Sequence, residues 1–230
     1  MKRILLIMSL LTAVFPLMAQ ENGQGLVIET RELSAFDQIR VSRGINVTLI
    51  EGEAPKAEIH IENADPADVL IEQKGRELTI RMRARIYRDM AVNVYLYYQE
   101  IREISAGTGG SVYSDDLIEA DQLTLETGAD ASIQLEVEVK KLIANASASR
   151  IEVTGSADFI DVNATTGGRF LGANLESKEG NVRTNTGASA QVWVTDKLEA
   201  RAGSGARIEY TGNPPKVDAR TNLGGRVEKM

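Results

Sequence analysis

The chain has 230 residues, a formal net charge of −7 and no cysteine. The lack of cysteine excludes disulfide bonds and a lipid-modified cysteine anchor, and the acidic balance argues against nucleic acid and anionic membrane surfaces as partners. Aromatic residues are only 5% of the chain, which favours a thin interior filled by small aliphatic side chains.

The chain begins with the features of a secretory signal peptide. Lys2 and Arg3 form a charged start, and a mainly apolar run extends from Ile4 to Met18. This run is too short to span a membrane comfortably, and a polar stretch follows it at once. We therefore expect residues 1–19 to be removed and residues 20–230 to form one domain without a membrane span. The mature protein is then exported to the periplasm, the cell surface or the medium.

Residues 36–100 predict a strand-rich but irregular N-terminal part of that domain. Apolar and polar residues alternate in short runs, which is typical of half-buried strands, and turn signals such as Lys74-Gly75 separate the runs. No helical periodicity is visible after the apolar start. The predicted strands are Ile39–Leu49, Ala57–Ile61, Val69–Ile71, Leu78–Met82 and Val92–Tyr97.

A basic cluster lies within this part of the chain. Its members are Arg76, Arg81, Arg83, Arg85 and Arg88. One interpretation is a site for a polyanion. The other is a solvated strand face, because Glu72, Glu77 and Asp89 lie among the arginines and can neutralise them. The second interpretation is favoured.

Residues 101–230 repeat a unit of strand, glycine-rich corner, strand and return. The clearest copy runs from Leu198 to Ile208. The other copies begin at Leu123, Leu142, Ile160, Val182 and Val217. Successive starts are 19, 18, 22, 16 and 19 residues apart, a period typical of stacked coils. We therefore predict an all-β fold, a right-handed parallel β-helix-like solenoid with coils of about 16–22 residues.

Equivalent positions of the copies predict the interior and the corners. Third positions are mostly small, so that Ala200 and Ala219 should be neighbours in a narrow core. Outward fourth positions form a ladder, which we interpret as cross-strand stabilisation. The predicted fourth positions are Asn145, Asn163, Asn185, Arg201 and Arg220. Corner residues are of types that tolerate positive φ. The predicted corner column is Gly128, Ser147, Gly187, Gly203 and Asn222.

Three stretches carry a resemblance to a known family. They are Gly44-Ile45-Asn46, the run Ser-Ala-Gly-Thr-Gly-Gly-Ser-Val at residues 105–112, and the closing Gly224-Gly225-Arg226-Val227. Together they resemble the head GIN domain family, exported bacterial proteins named for an inferred role as auto-transporter adhesins. The resemblance covers the chain from about Glu32 to Met230. It implies a β-helix-like fold, a surface or envelope setting and no catalytic residues.

An enzyme is not expected. The single histidine, His60, lies in an alternating strand pattern, and neither a cysteine nucleophile nor a Gly-x-Ser-x-Gly motif is present. A β-helix polysaccharide lyase with calcium on Asp115, Asp116 and Asp121 is the enzymatic alternative. Adjacent aspartates point apart, however, whereas calcium needs several converging oxygens. We expect no metal and no cofactor.

The best candidate site lies on the second strand of the repeat. There Arg150 and Glu152 share a face, as do Arg207 with Glu209 and Arg226 with Glu228. Such an arginine column suits an acidic glycan, but neutralisation by its own glutamates is the simpler interpretation.

Two middle coils replace the glutamate by Leu171 and Trp193, which we expect to be neighbours across one rung. With Arg169 and Gln191 beside them, they form the candidate ligand-binding set for a glycan or a protein. The alternative is that the return from Gly172 to Gly180 folds over Trp193 and covers it.

The sequence therefore favours an exported, non-catalytic binding or adhesion module. Its partner would be a glycan or an envelope or surface protein, bound on a face of the solenoid. A structural envelope protein whose coils stack end to end, without a discrete ligand, is the second hypothesis, and the lyase is the third.

Overall fold

The computed structural model describes residues 25–230, so the predicted signal peptide lies outside it. Within this range the regular structure is β-strand, apart from one 3₁₀ turn at Pro66–Asp68. The strands are β1 (Val27–Glu32), β2 (Gln38–Ser42), β3 (Asn46–Glu51), β4 (Lys56–Glu62), β5 (Val69–Lys74), β6 (Glu77–Met82), β7 (Ala91–Tyr98), β8 (Glu103–Gly107), β9 (Ser111–Gly128), β10 (Ser132–Ser147), β11 (Arg150–Thr165), β12 (Arg169–Thr184), β13 (Ser189–Ala202), β14 (Arg207–Thr211), β15 (Lys216–Thr221) and β16 (Arg226–Lys229).

The strands build a flattened β-solenoid with two parallel faces around one thin core. The long strands β9 to β13 each run along the first face, bend, and continue along the second. For example, β13 pairs with β14 through its first half and with β15 through its second half. A tight corner then returns the chain to the first face. The all-β solenoid that the repeats predict is confirmed.

The N-terminal coils stack in an order that differs from their order in the chain. The coil made by β2 and β3 lies between the coil of β6 and β7 and the coil of β8 and β9. β4 and β5 then pair antiparallel with β7 and β6, and β1 pairs antiparallel with β4. These antiparallel strands cover the parallel edge that the coils would otherwise expose.

Side chains in one inward column become smaller toward the C-terminal end, which makes the core thin. The column is Leu78, Ile39, Ile104, Leu125, Ala144, Val162, Val182, Ala200 and Ala219. All of these except Ala219 are fully buried. Ala200 and Ala219 are register partners, as expected, but Ala219 belongs to the last coil and is exposed.

One predicted copy is out of frame by two residues. Gly180, not Val182, pairs with Leu198, so the coil begins at Gly180 and the uneven spacings of 22 and 16 residues become 20 and 18. Glycine stands at this apolar position because its neighbours fill the space. A Cβ on Gly180 would lie 3.1 Å from Val194 and 3.3 Å from Ile160. The shift moves Arg183 into the outward ladder in place of Asn185.

The corners follow a repeated backbone pattern of two successive residues with positive φ. The pairs are Arg43-Gly44, Thr108-Gly109, Ala129-Asp130, Thr166-Gly167, Thr186-Gly187, Ser204-Gly205 and Leu223-Gly224. The predicted corner column lies mostly one residue too early. Gly203, for example, precedes the turn, and its site has no room for a side chain. A Cβ there would lie 2.4 Å from the Asn222 side-chain oxygen.

The triplet Gly44-Ile45-Asn46 is the first of these corners. Gly44 has a φ of 71°, a conformation that favours glycine, and Ile45 is fully buried in the core. Asn46 points outward, donates a hydrogen bond to Asn93 over 3.3 Å and accepts one from Ser111 over 2.7 Å. The triplet therefore supplies a turn, a core residue and a bridge between three coils.

Candidate functional site

The four candidate ligand-binding residues lie together on the outer side of the first face. We call them the tryptophan patch: Arg169 and Leu171 on β12, and Gln191 and Trp193 on β13. Val192 and Val194 are fully buried on either side of Trp193. Because side chains alternate along a strand, the indole is directed outward, as the sequence pattern predicts.

The expectation that Leu171 and Trp193 share a rung is wrong. Leu171 pairs with Gln191, whereas Trp193 pairs with Glu176 on one side and Thr211 on the other. The cause is the two-residue frame error described above, together with a register shift between Gly172 and Glu176. Trp193 therefore lies diagonally from Leu171 and next to a carboxylate.

The segment from Gly172 to Gly180 belongs to β12 and is not a separate loop. It bulges at Ala173 and Asn174, which have no register partner on either neighbouring strand. The cover of the indole by this segment stays a prediction. Trp193 is half-buried, and the following coil approaches its ring at Gly212. A Cβ on Gly212 would lie 3.1 Å from Cδ1 of the indole. One part of the ring is thus held by the protein and the rest is open to solvent.

Hydrogen bonds and ion pairs organise the rim of the patch. Gln191 donates to Glu209 over 2.9 Å, and this bond, helped by Arg207, lowers the pKa of Glu209 below its ordinary value. Arg207 pairs with Glu209 over 3.2 Å. Arg169 differs from Arg207 because the residue two positions later is Leu171 and not a glutamate. Arg169 makes no ion pair within residues 25–230. Arg169 is therefore an exposed cation at the edge of an apolar side chain.

The remaining arginine column largely neutralises itself. Arg150 pairs with Glu152 over 2.6 Å, as Arg207 does with Glu209. In the N-terminal basic cluster, Arg81 pairs with Glu72 over 2.5 Å. Arg83 and Arg85 both contact the buried carboxylate of Asp68. These contacts agree with the interpretation of both clusters as solvated, internally paired surfaces.

The residues considered for catalysis are engaged separately. Nε2 of His60 lies 2.8 Å from a Glu58 oxygen, and its ring stands edge-on to Tyr95. Asp116 accepts from the Glu51 backbone over 2.9 Å, whereas Asp121 pairs with Lys140 over 2.6 Å. In the described part of the chain, no three His, Cys, Asp or Glu side chains are placed to hold a metal ion.

The structure also adds one residue, Arg183, to the outward ladder that the sequence pattern predicts at Arg201 and Arg220. On the second face, Arg183, Arg201 and Arg220 occupy three successive rungs in register. We call them the arginine ladder. The signal that could have revealed it is the coil frame: with Gly180 taken as the first position, Arg183 falls at the fourth, as Arg201 and Arg220 do.

Several solved structures share this architecture. A protein from Bacteroides fragilis NCTC 9343, called a "putative adhesin", superposes with a TM-score of 0.80 at 16% identity, covering 90% of this chain and 98% of that one. A "putative adhesin" from Parabacteroides merdae ATCC 43184 gives 0.74 at 22% identity, with the same coverage of 90% and 98%. A "putative lipid binding protein" from Parabacteroides distasonis ATCC 8503 gives 0.68 at 16% identity, again covering 90% and 98%. At these identities the likeness concerns the fold alone.

Sequence comparison supplies the family. No curated protein is significantly similar to the chain. Among residues 25–230, no helix has the length and hydropathy needed to cross a membrane. The model of the family described as "Putative auto-transporter adhesin, head GIN domain" matches residues 35–214, which is most of the chain. That match agrees with the corner at Gly44-Ile45-Asn46 and with the stacked coils, and the protein belongs to the head GIN domain family.

Proposed function

We propose that the protein is an exported, non-catalytic binding or adhesion module that engages a glycan or a surface protein through the tryptophan patch. The observation that carries this proposal is the half-buried indole of Trp193, the only tryptophan of the chain, on a continuous sheet face. Export is supported by the N-terminal sequence. The names of the family and of two structural neighbours agree with a binding role.

The chemistry of the patch suits a sugar or a flat protein surface. An aromatic ring that is fixed on one side loses little side-chain entropy on binding, and its open part offers apolar area for the apolar face of a pyranose. Leu171 extends this area, while Gln191 and Arg169 supply hydrogen-bond donors at its edge. Backbone pairing on both sides of β12 and β13 holds the four side chains in fixed relative positions.

Intrinsic fluorescence tests this function directly, because the emission reports one indole. A panel of neutral and charged oligosaccharides should contain members that shift or quench the emission of the mature protein. Trp193→Ala should abolish the binding of those members in a glycan array while leaving the circular dichroism spectrum unchanged. Tyr113→Ala is the matched control, because Tyr113 is another half-buried aromatic residue that points outward from the first face. The proposal fails if Trp193→Ala binds the panel as well as the wild type does.

A second function, structural stacking of molecules end to end, is favoured by the last coil. Strand β15 is exposed along its whole length, with Val217 42% exposed and Leu223 in the following corner 80% exposed. The backbone edge of such a strand can pair with a second copy. Sedimentation at increasing concentration should then show association that Val217→Lys abolishes and Trp193→Ala leaves intact. A monomer at all concentrations would exclude this second function.

A further inference from the structure

The arginine ladder places three like charges in direct register. Arg183 pairs with Arg201, and Arg201 with Arg220, across adjacent strands, which lie about 4.8 Å apart. Like charges directly opposite each other destabilise a sheet. The arrangement is therefore unfavourable for the isolated protein.

Another column of the same solenoid shows what a self-neutralising arrangement looks like. At the bend between the two faces, successive coils alternate acid and base at equivalent positions: Asp121, Lys140, Asp158, Lys178 and Asp196. Lys140 pairs with Asp121 over 2.6 Å, and Lys178 pairs with Asp158 over 2.7 Å. The chain alternates charges at its bend and does not do so in the arginine ladder.

The arginines of the ladder are only weakly engaged by the protein. Arg183 reaches Asp161 over 3.2 Å, and Arg220 binds both carboxylate oxygens of Asp218, over 2.9 and 3.2 Å. Both pairs are open to solvent, which weakens the attraction between their charges. Arg201, at the centre, makes no ion pair in the described chain. The nearest acid on its own strand, Glu199, is held by Lys197 over 2.7 Å. All three guanidinium groups can therefore exchange their partners for a ligand.

A shallow groove of about 460 Å³ runs beside the ladder. Its other lining residues are small or polar, and none is aromatic. Gly203 has no side chain, which leaves space in the groove beside Arg201. The side-chain oxygens of Asn185 and Asn222 lie next to Gly203. Asparagine amides both donate and accept hydrogen bonds, as hydroxyl-rich ligands require. The lack of aromatic rings argues against single-stranded nucleic acid as the ligand, because proteins that bind single strands stack the bases on aromatic side chains.

We propose that the arginine ladder is a second binding site, on the face opposite the tryptophan patch, for a linear acidic polysaccharide. An extended chain that carries a carboxylate or sulfate on successive sugars presents anions in one line, and the ladder presents guanidinium groups in one line. Arginine binds such planar or tetrahedral oxyanions through paired N–H donors. The asparagines beside the ladder bind the sugar hydroxyls.

Isothermal titration with three probes tests this site. The probes are an oligogalacturonate, a dextran sulfate fragment of similar length and a neutral dextran oligosaccharide. We expect binding of one or both acidic probes, weaker at high salt, and no binding of the neutral one. Arg201→Gln should weaken the binding by about tenfold or more. Arg150→Gln is the matched control: it removes one exposed, ion-paired arginine from the opposite face and should change the affinity by less than about twofold.

The outcomes separate this site from the tryptophan patch and from unspecific attraction. Binding of the galacturonate alone identifies carboxylates as the ligand chemistry, and binding of the sulfated probe alone identifies sulfates. Trp193 emission should not respond to either probe, because the indole lies on the other face. Equal losses in Arg201→Gln and Arg150→Gln would overturn the proposal. So would binding of a single-stranded oligonucleotide that is tighter than binding of the acidic probes and is lost in Arg201→Gln. So would affinity no greater than that of neutral dextran.

Discussion

Ala200 and Ala219 are paired in register on β13 and β15, yet only Ala200 is buried. Ala200 lies between Val182 on one side and Ala219 on the other, at the narrow end of the core. Ala219 belongs to the last coil, where its outer side meets solvent. Two chemically identical, adjacent residues of one inward column therefore have different surroundings.

Enlarging these alanines should have unequal effects on stability. Ala200→Leu inserts three extra carbons into a filled layer and should lower the free energy of unfolding by roughly 1–3 kcal/mol. Ala219→Leu adds them at an open end and should change it by less than about 0.5 kcal/mol. Urea denaturation followed by Trp193 fluorescence measures both. A comparable loss for Ala219→Leu would mean that the last coil is covered in solution, as end-to-end stacking requires.

The neighbouring glycines of one corner should also differ. Gly167 has a φ of 74° with open space around it, whereas a Cβ on Gly168 would lie 2.3 Å from the backbone oxygen of Ala146. Gly167→Ala should cost about 1 kcal/mol for the left-handed conformation. Gly168→Ala must displace backbone and should cost more, on the order of 3 kcal/mol. Thermal and urea unfolding of the two variants give the comparison.

The next coil offers a built-in control for this corner. Arg169 pairs with Ser189, so Ala188 is the equivalent of Gly168, and there a Cβ is accommodated in the buried interior. If Gly168→Ala proves as mild as Gly167→Ala, the corner at Gly168 can relax to the geometry of the corner at Ala188. The close approach to Ala146 would then not be a constraint of the fold.

The hydrogen bond from Gln191 to Glu209 should be visible in a titration. It is the largest cause of the lowered pKa of Glu209, and Arg207 adds to it. Gln191→Leu should therefore raise the pKa of Glu209 toward its ordinary value. A lowered pKa in the folded state means that this stabilisation is present at neutral pH and is lost as the pH falls through that pKa. Carboxyl NMR of the two proteins measures the shift, and an unchanged pKa would contradict the bond.

How far the sequence predicts the fold depends on which contacts are local. Alternation along a strand is local, so the outward direction of Trp193 and the burial of Val192 could be read from the pattern. The alignment of one coil with the next has to be found by matching their apolar positions. The predicted alignment was wrong at Gly180, because a glycine occupies an apolar position there. Because Val182 was taken as the start instead, Leu171 and Trp193 were placed on one rung and Arg183 was missed.

The order of the N-terminal coils is a non-local property. β2 and β3 precede β6 and β7 in the chain, yet their coil lies inside that of β6 and β7. The strands around Ile39 and Leu78 have equally apolar patterns. Neither pattern indicates which other strand it pairs with. Loop closure and the antiparallel cover by β4 and β5 decide that order, and both depend on the assembled tertiary structure.

Tyr98, at the end of β7, is almost fully buried beside two acids. Burial raises its pKa to about 12, and the nearby carboxylates of Glu51 and Asp116 add to the rise. The folded protein thus holds the phenol in its neutral form at pH values where the unfolded chain has begun to lose the proton. Because the folded pKa is the higher one, alkaline pH favours the unfolded chain, and the stability contribution of the neutral phenol disappears as the pH rises.

Between roughly pH 10 and pH 12, the free energy of unfolding of the wild type should therefore fall by up to about 2 kcal/mol more than that of Tyr98→Phe. The phenylalanine ring of the variant has no proton to lose. Tyr87 and Tyr113 also have raised pKa values, but both remain in the variant, so the difference between the two proteins isolates Tyr98. Guanidinium chloride denaturation at a series of alkaline pH values, followed by Trp193 emission, gives the two curves. Curves that stay parallel up to pH 12 would show that Tyr98 ionises as readily in the folded protein as in the unfolded chain, and that water reaches the phenol between the ends of β3, β7 and β9.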